Sequence, residues 1–136
     1  MTLVDAGPLV SLVVKNDEDH QLCVDALHTT TTPRITTHPI LTEAMHFAGH
    51  RIGWRAQAEI WELVLNGGLV VVALTDEHHA RMKSLMEKYH DVPMDFADAS
   101  LVAVAESLNT EWIFTLDSDF LVYRFNGTKP FDVVPK

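Results

Sequence analysis

The segment 95–108 limits the fold of this chain more than any other. Ala97, Ala99, Leu101, Val102, Ala103, Val104 and Ala105 spread apolar side chains over every side of a helix of 3.6 residues per turn. Such a helix has no face to offer water and must be buried against other elements. Asp98 lies in its early turns, and a carboxylate there has to be paired, hydrogen-bonded or bound to a metal to stay charged.

Short apolar bursts at 2–4, 34–36, 69–74 and 112–116, with a shorter one at 132–134, alternate with helical patterns. This is the sequence pattern of βαβ units around a mostly parallel sheet of four to five strands. The helical stretches are 8–14, 19–27, 39–48, 52–65, 76–89 and 95–108. Pro8 suits a first helical turn, whereas Gly49 and Asn66-Gly67-Gly68 read as helix stops. No repeat, low-complexity tract or long linker divides the chain, so residues 1–136 are expected to form a single domain. A chain of 136 residues buries roughly two-thirds of its unfolded surface, enough for a core without disulfides.

Charge and cysteine usage narrow the function. With 10 Lys+Arg against 19 Asp+Glu the net charge is −9, which argues against a broad basic face that neutralises phosphates. The one cysteine, Cys23, can form no internal disulfide, and no Cys-x-x-Cys zinc spacing exists. No apolar run is long enough to span a bilayer, and residues 1–5 lack the basic flank and apolar core of a signal peptide. The expectation is a protein of the cytoplasm.

Four carboxylates fall at chemically suggestive places. Asp5 ends the first strand and Asp117 ends the strand 112–116, so both should lie on the rim formed by the carboxyl ends of the strands, where open α/β sheets bind ligands. Glu43, in the helix after the second strand, and Asp98 can face the same rim. Singly, each has a structural explanation: Asp5 as a helix cap, Asp98 as a first-turn partner of Asp95, Glu43 as a solvated helix residue, Asp117 and Asp119 as turn formers. Jointly, several carboxylates without Lys or Arg partners repel one another. Hard divalent cations, Mg²⁺ or Mn²⁺, relieve that repulsion and prefer oxygen ligands.

Four stretches then carry a family resemblance: Val4-Asp5-Ala6-Gly7-Pro8-Leu9-Val10, Leu41-Thr42-Glu43-Ala44, Pro93-Met94-Asp95-Phe96-Ala97-Asp98-Ala99-Ser100-Leu101 and Thr115-Leu116-Asp117-Ser118-Asp119-Phe120. In order and spacing the chain resembles the PIN (PilT N-terminus) domain ribonucleases, and more narrowly the VapC-like toxins of toxin–antitoxin pairs. The resemblance implies a three-layer α/β/α PIN-like fold and a Mg²⁺- or Mn²⁺-dependent endoribonuclease that inhibits translation and growth. It also implies an acidic quartet of Asp5, Glu43, Asp98 and Asp117, a homodimer, and an antitoxin whose peptide covers the acidic site. Asp5, Asp98 and Asp117 are the expected metal ligands, with Glu43 and Asp119 as further candidates. The chain departs from many members at Ala6-Gly7, where a Ser or Thr commonly follows the first acid.

Arg51, Arg55 and Arg124 are the candidate RNA contacts, with His46, His50 and Lys129 nearby in sequence or at the C-terminal end. Trp54 and Trp61 are expected in the core or a dimer contact, base stacking being the alternative. Three rival readings stay open. Glu43-x-x-His46 and Glu87-x-x-His90 match the spacing of di-iron helix bundles, which need an all-α fold. A PIN nuclease of RNA processing, or a PIN module that binds without cutting, would keep the same acids or lose one.

Overall fold

The computed structural model describes all 136 residues. The chain runs β1 (Thr2–Val4), α1 (Ala6–Val13), α2 (His20–Leu27), β2 (Arg34–Thr37), α3 (His38–Arg51), α4 (Trp54–Leu65), β3 (Val70–Val72), α5 (Asp76–Lys88), α6 (Phe96–Ser107) and β4 (Trp112–Phe114). A 3₁₀ turn (Ser118–Leu121), a small hairpin of β5 (Arg124–Phe125) and β6 (Lys129–Pro130), and β7 (Asp132–Val134) complete it.

Five strands form one parallel sheet in the order β3-β2-β1-β4-β7. Six helices cover it in the three-layer α/β/α arrangement expected from the sequence. After β1 the chain adds β2 and β3 on one side, then crosses back to add β4 and β7 on the other. The order therefore reverses between β1 and β4, and the crevice outside their carboxyl ends is the topological switch point of the sheet.

The core follows from hydrophobic pattern. Leu3 and Val4 of β1 and Ile113 and Phe114 of β4 are almost completely buried, and they join one contiguous cluster of 35 buried apolar residues. Helix α6 is its centre: residues 97–105 are all buried, packed on α5, α3 and β2. An all-apolar helix lies where the sequence requires it, with α5 as the amphipathic layer outside it. The five-stranded parallel sheet removes the di-iron reading, which needs an all-α bundle.

Several boundaries differ from the sequence expectation, each for a local reason. The apolar runs 69–74 and 112–116 pair only over Val70–Val72 and Trp112–Phe114; just past β4 the side chain of Thr115 binds the backbone of Asp117 as the chain turns out of the sheet. Helix α1 begins at Ala6, two residues before Pro8, capped by Asp5. Gly49 does not stop α3, which continues to Arg51. A Cβ on Gly49 would stand 2.3 Å from the Gln57 amide nitrogen, so this glycine permits the close approach of α3 and α4. The real break is Gly53, at φ +116°.

At Gly53 a side chain meets open space but a backbone conformation that L-residues rarely adopt. Gly53→Ala should therefore destabilise the fold by roughly 1–3 kcal/mol through backbone strain. Chemical denaturation checks this, and an unchanged midpoint would contradict it.

Candidate metal centre

The switch point holds acids from three directions. Asp5 follows β1 directly, is 7% exposed, and is held by two bonds: the Ala6 N–H donates to Oδ1 at 2.8 Å and the Thr115 hydroxyl to Oδ2 at 2.7 Å. The Thr115 oxygen in turn accepts the Asp117 N–H at 3.0 Å. One hydroxyl at the end of β4 thus ties the first acid to the backbone of another. The sequence provides no hydroxyl at Ala6, and Thr115 supplies one from the neighbouring strand.

Asp98 enters from α6. Asp95 caps that helix, its carboxylate accepting the Asp98 N–H at 2.7 Å, so the capping expected from the spacing is real but belongs to Asp95. The carboxylate of Asp98 is free of that duty. It is 6% exposed, and its Oδ2 accepts a hydrogen bond from the hydroxyl of the fully buried Tyr123 at 2.9 Å. Asp117 and Asp119 sit in the turn after β4, where the Asp117 carboxylate accepts the Asp119 N–H at 2.9 Å.

One carboxylate oxygen each from Asp98, Asp117 and Asp119 lies within 4.8 Å of the others. Asp5 and half-buried Glu43 stand outside that triad but within its electric field. Burial is the largest cause of the shift at each group and lifts Asp98 to about 8, with repulsion from Asp5 and Asp95 adding to it and the Tyr123 bond opposing it. Asp5 rises to about 6, again through burial, against its Thr115 and Ala6 bonds. Glu43 and Asp119 are also raised, by burial and then by neighbouring aspartates. Asp95 contributes to every one of these shifts, although it reads in the sequence as a cap alone; its i, i+3 spacing from Asp98 was the available signal. Tyr123 and Thr115 carry no sequence signal of their role, because only the fold brings their hydroxyls to the acids.

The cations are committed to other partners or lie in other grooves, with Arg51 sharing a groove with Glu43 but pairing elsewhere. Arg51 pairs with Asp17, which holds that carboxyl below its ordinary range, and both line a groove with Ser11, Phe47 and Glu43. Arg55 lies in a different groove, with Lys15 and Glu59. The Arg124 guanidinium donates to the Leu121 and Tyr123 carbonyls at 2.8 and 3.2 Å, and Lys129 pairs with Glu111. No Lys or Arg forms an ion pair with Asp5, Glu43, Asp98, Asp117 or Asp119. Trp54 and Trp61 are exposed, which corrects their expected place in the core.

A donor set of converging carboxylates with no internal counter-ion fits a hard divalent cation such as Mg²⁺ or Mn²⁺. The alternative way of relieving the repulsion is to bind protons, as the raised pKa values express.

The chain belongs to the PIN domain family, whose model matches residues 2–126. Its fold is that of solved VapC structures. The Mycobacterium tuberculosis toxin VapC20, which cleaves the sarcin–ricin loop, is 18% identical with a TM-score of 0.84 over 96% of this chain and 100% of that one. A toxin–antitoxin complex from Klebsiella pneumoniae is 14% identical, TM-score 0.67, over 99% and 93%. VapBC2 of Rickettsia felis, solved on a DNA fragment from its promoter, is 13% identical, TM-score 0.62, over 88% and 89%. Among curated proteins none matches the chain at a significant level.

The raised acids fix a pH dependence. Asp5 and Asp98 bind protons more tightly folded than in an unfolded chain, where the reference value is 3.8. Stability of the metal-free protein should therefore be greatest below that value as far as these two groups decide it, and fall as pH rises through about 6 and about 8. Thermal melts in chelator should show this decline, and Asp98→Asn should flatten its upper part and melt above the wild type at pH 8. A wild-type melting temperature that climbs across the same range would contradict the repulsion.

Proposed function

We propose that this protein is a Mg²⁺- or Mn²⁺-dependent endoribonuclease, acting in the cytoplasm as the toxin of a toxin–antitoxin pair to block translation and growth. The observation that carries the proposal is the convergence of Asp98, Asp117 and Asp119 beside Asp5, at the switch point of the sheet, with no cation of the chain's own to balance them. Membership of the PIN domain family and a fold shared with VapC20 support it.

Asp98, Asp117 and Asp119 would hold the cation, with Asp5 fixed in place by Thr115. A divalent ion bound there supplies acidification of a water and neutralisation of charge building on a phosphate. The chain's own groups do the rest. Tyr123 holds one oxygen of Asp98 by a hydrogen bond and so fixes the orientation of that carboxylate. Glu43, half-buried on the α3 side with its proton affinity raised, takes the proton from the attacking water. Water then displaces the leaving oxygen at phosphorus in line, the leaving oxygen takes up a proton from solvent, and no side chain forms a covalent bond. Arg51, which lines a groove with Glu43, is proposed to contact the RNA backbone together with Arg55 and Arg124.

The antitoxin fits the same crevice. An inserted Arg or Lys would balance the acids as the metal does, and two of the structural neighbours are toxin–antitoxin complexes. The substrate is a single-stranded loop of a structured RNA.

The test is cleavage of total cellular RNA, ribosomal RNA included, by protein purified free of antitoxin. Discrete fragments should form with Mg²⁺ or Mn²⁺, vanish with EDTA, and fall by at least about a hundredfold in Asp5→Ala and Asp98→Asn. Metal binding without cleavage of any RNA would overturn the catalytic reading and leave a PIN module that binds without cutting.

A further inference from the structure

Glu43-x-x-His46 belongs to no helix bundle, yet α3 extends it by a further donor. His50 lies four residues beyond His46, and at about 100° per residue Glu43, His46 and His50 fall within about 60° of one another on one side of the helix. Ile40, Leu41, Ala44 and Ala48 take the buried side. Both imidazoles are exposed, their ring centres 6.3 Å apart and their planes 16° from parallel. The Phe47 ring stands edge-on to His46 at 5.4 Å. Neither imidazole is spent on the fold. His20, His78 and His90 each commit a ring nitrogen to a hydrogen bond within the chain, whereas no hydrogen bond or ion pair engages the ring nitrogens of His46 and His50.

We propose that His46 and His50 form a second metal site, for a borderline divalent cation such as Zn²⁺, with the Glu43 carboxylate as its third protein ligand. Two histidines at i and i+4 on one helix face are a known pair of nitrogen donors for zinc. A carboxylate three residues before a histidine has the spacing at which both reach one metal. Exposed rings turn about their own bonds, so each can bring a nitrogen to the roughly 2.0–2.1 Å that zinc requires, with water in the remaining position. Donor chemistry separates this site from the acid cluster. Asp98, Asp117 and Asp119 offer oxygen alone, which suits Mg²⁺ or Mn²⁺, whereas imidazole nitrogen favours Zn²⁺. An ion held on α3 takes the Glu43 carboxylate as a ligand and so withdraws it as a proton acceptor, which makes zinc an inhibitor of cleavage. That consequence rests on the nuclease reading; the zinc site itself does not.

Calorimetric titration of the full chain with Zn²⁺, in an excess of Mg²⁺ to occupy the carboxylates, provides the test. The wild type should bind zinc. His46→Ala and His50→Ala, both at exposed positions, should keep the wild-type melting temperature and each weaken zinc binding by at least about tenfold. His79→Ala, on α5, and Asp98→Asn should bind as the wild type does. A wild type that takes up no zinc, two histidine variants that bind it undiminished, or binding lost in Asp98→Asn would overturn the site. In RNA cleavage, half-inhibition of the wild type should need at least about tenfold less Zn²⁺ than half-inhibition of His50→Ala. Equal inhibition of the two would overturn the control of Glu43 and leave the metal site standing. A protein that cleaves no RNA fails the nuclease reading alone, because the titration reads zinc binding directly.

Discussion

Repulsion among carboxylates at the end of β1, the end of β4 and the start of α6 is the constraint on which the rest of the structure depends. Asp98 sits on a helix whose other faces are committed to the core, so it cannot swing into water to escape its neighbours. Asp5 is equally fixed, because its two hydrogen bonds anchor it between the strands. Burial strengthens every interaction among these groups and raises the cost of keeping them charged. A fold assembled only for stability has no use for that arrangement. It is consistent with a site prepared for a positive ligand, whether a cation, a proton or an inserted basic side chain.

The hydroxyls of Thr115 and Tyr123 show how the chain tolerates the cluster. Each donates to an acid without bringing a positive charge. A lysine in either place would neutralise the site and fill it. A neutral donor orients a carboxylate and leaves its charge available, the role that outer partners of metal ligands commonly play. The arginines are kept apart: Arg51 is balanced by Asp17, and Arg81 by Glu106. In a chain of net charge −9 the acids of this crevice are thereby left without an ion-pair partner.

Much of the fold was legible in the sequence because the signals were local and physical. The apolar surround of 97–105 demanded burial, and the alternation of strand and helix patterns demanded a parallel sheet. Both are properties of a single segment or its neighbours. What the sequence concealed depends on contacts between distant segments. Gly49 looked like a helix stop, yet it makes room for Gln57. Trp54 and Trp61 read as core or dimer-contact residues, and their exposure removes the first of these; no pattern in one chain distinguishes a helix with two apolar faces from one that is wholly buried. Asp5, Glu43, Asp98, Asp117 and Asp119 could be named from spacing and resemblance. The contribution of Asp95, and the support from Thr115 and Tyr123, required the crossing of β4 beside β1 and the return of the chain after the 3₁₀ turn.

The most direct measurement is the melting temperature of the wild type and of Asp98→Asn as Mn²⁺ or Mg²⁺ is titrated into chelator-treated protein near pH 8. If the cluster is a cation site, the wild type should be stabilised progressively by mass action on the folded state, and Asp98→Asn should gain little. A wild-type melting temperature indifferent to either ion, or an equal gain in the variant, would contradict the claim that these carboxylates are gathered to hold a metal.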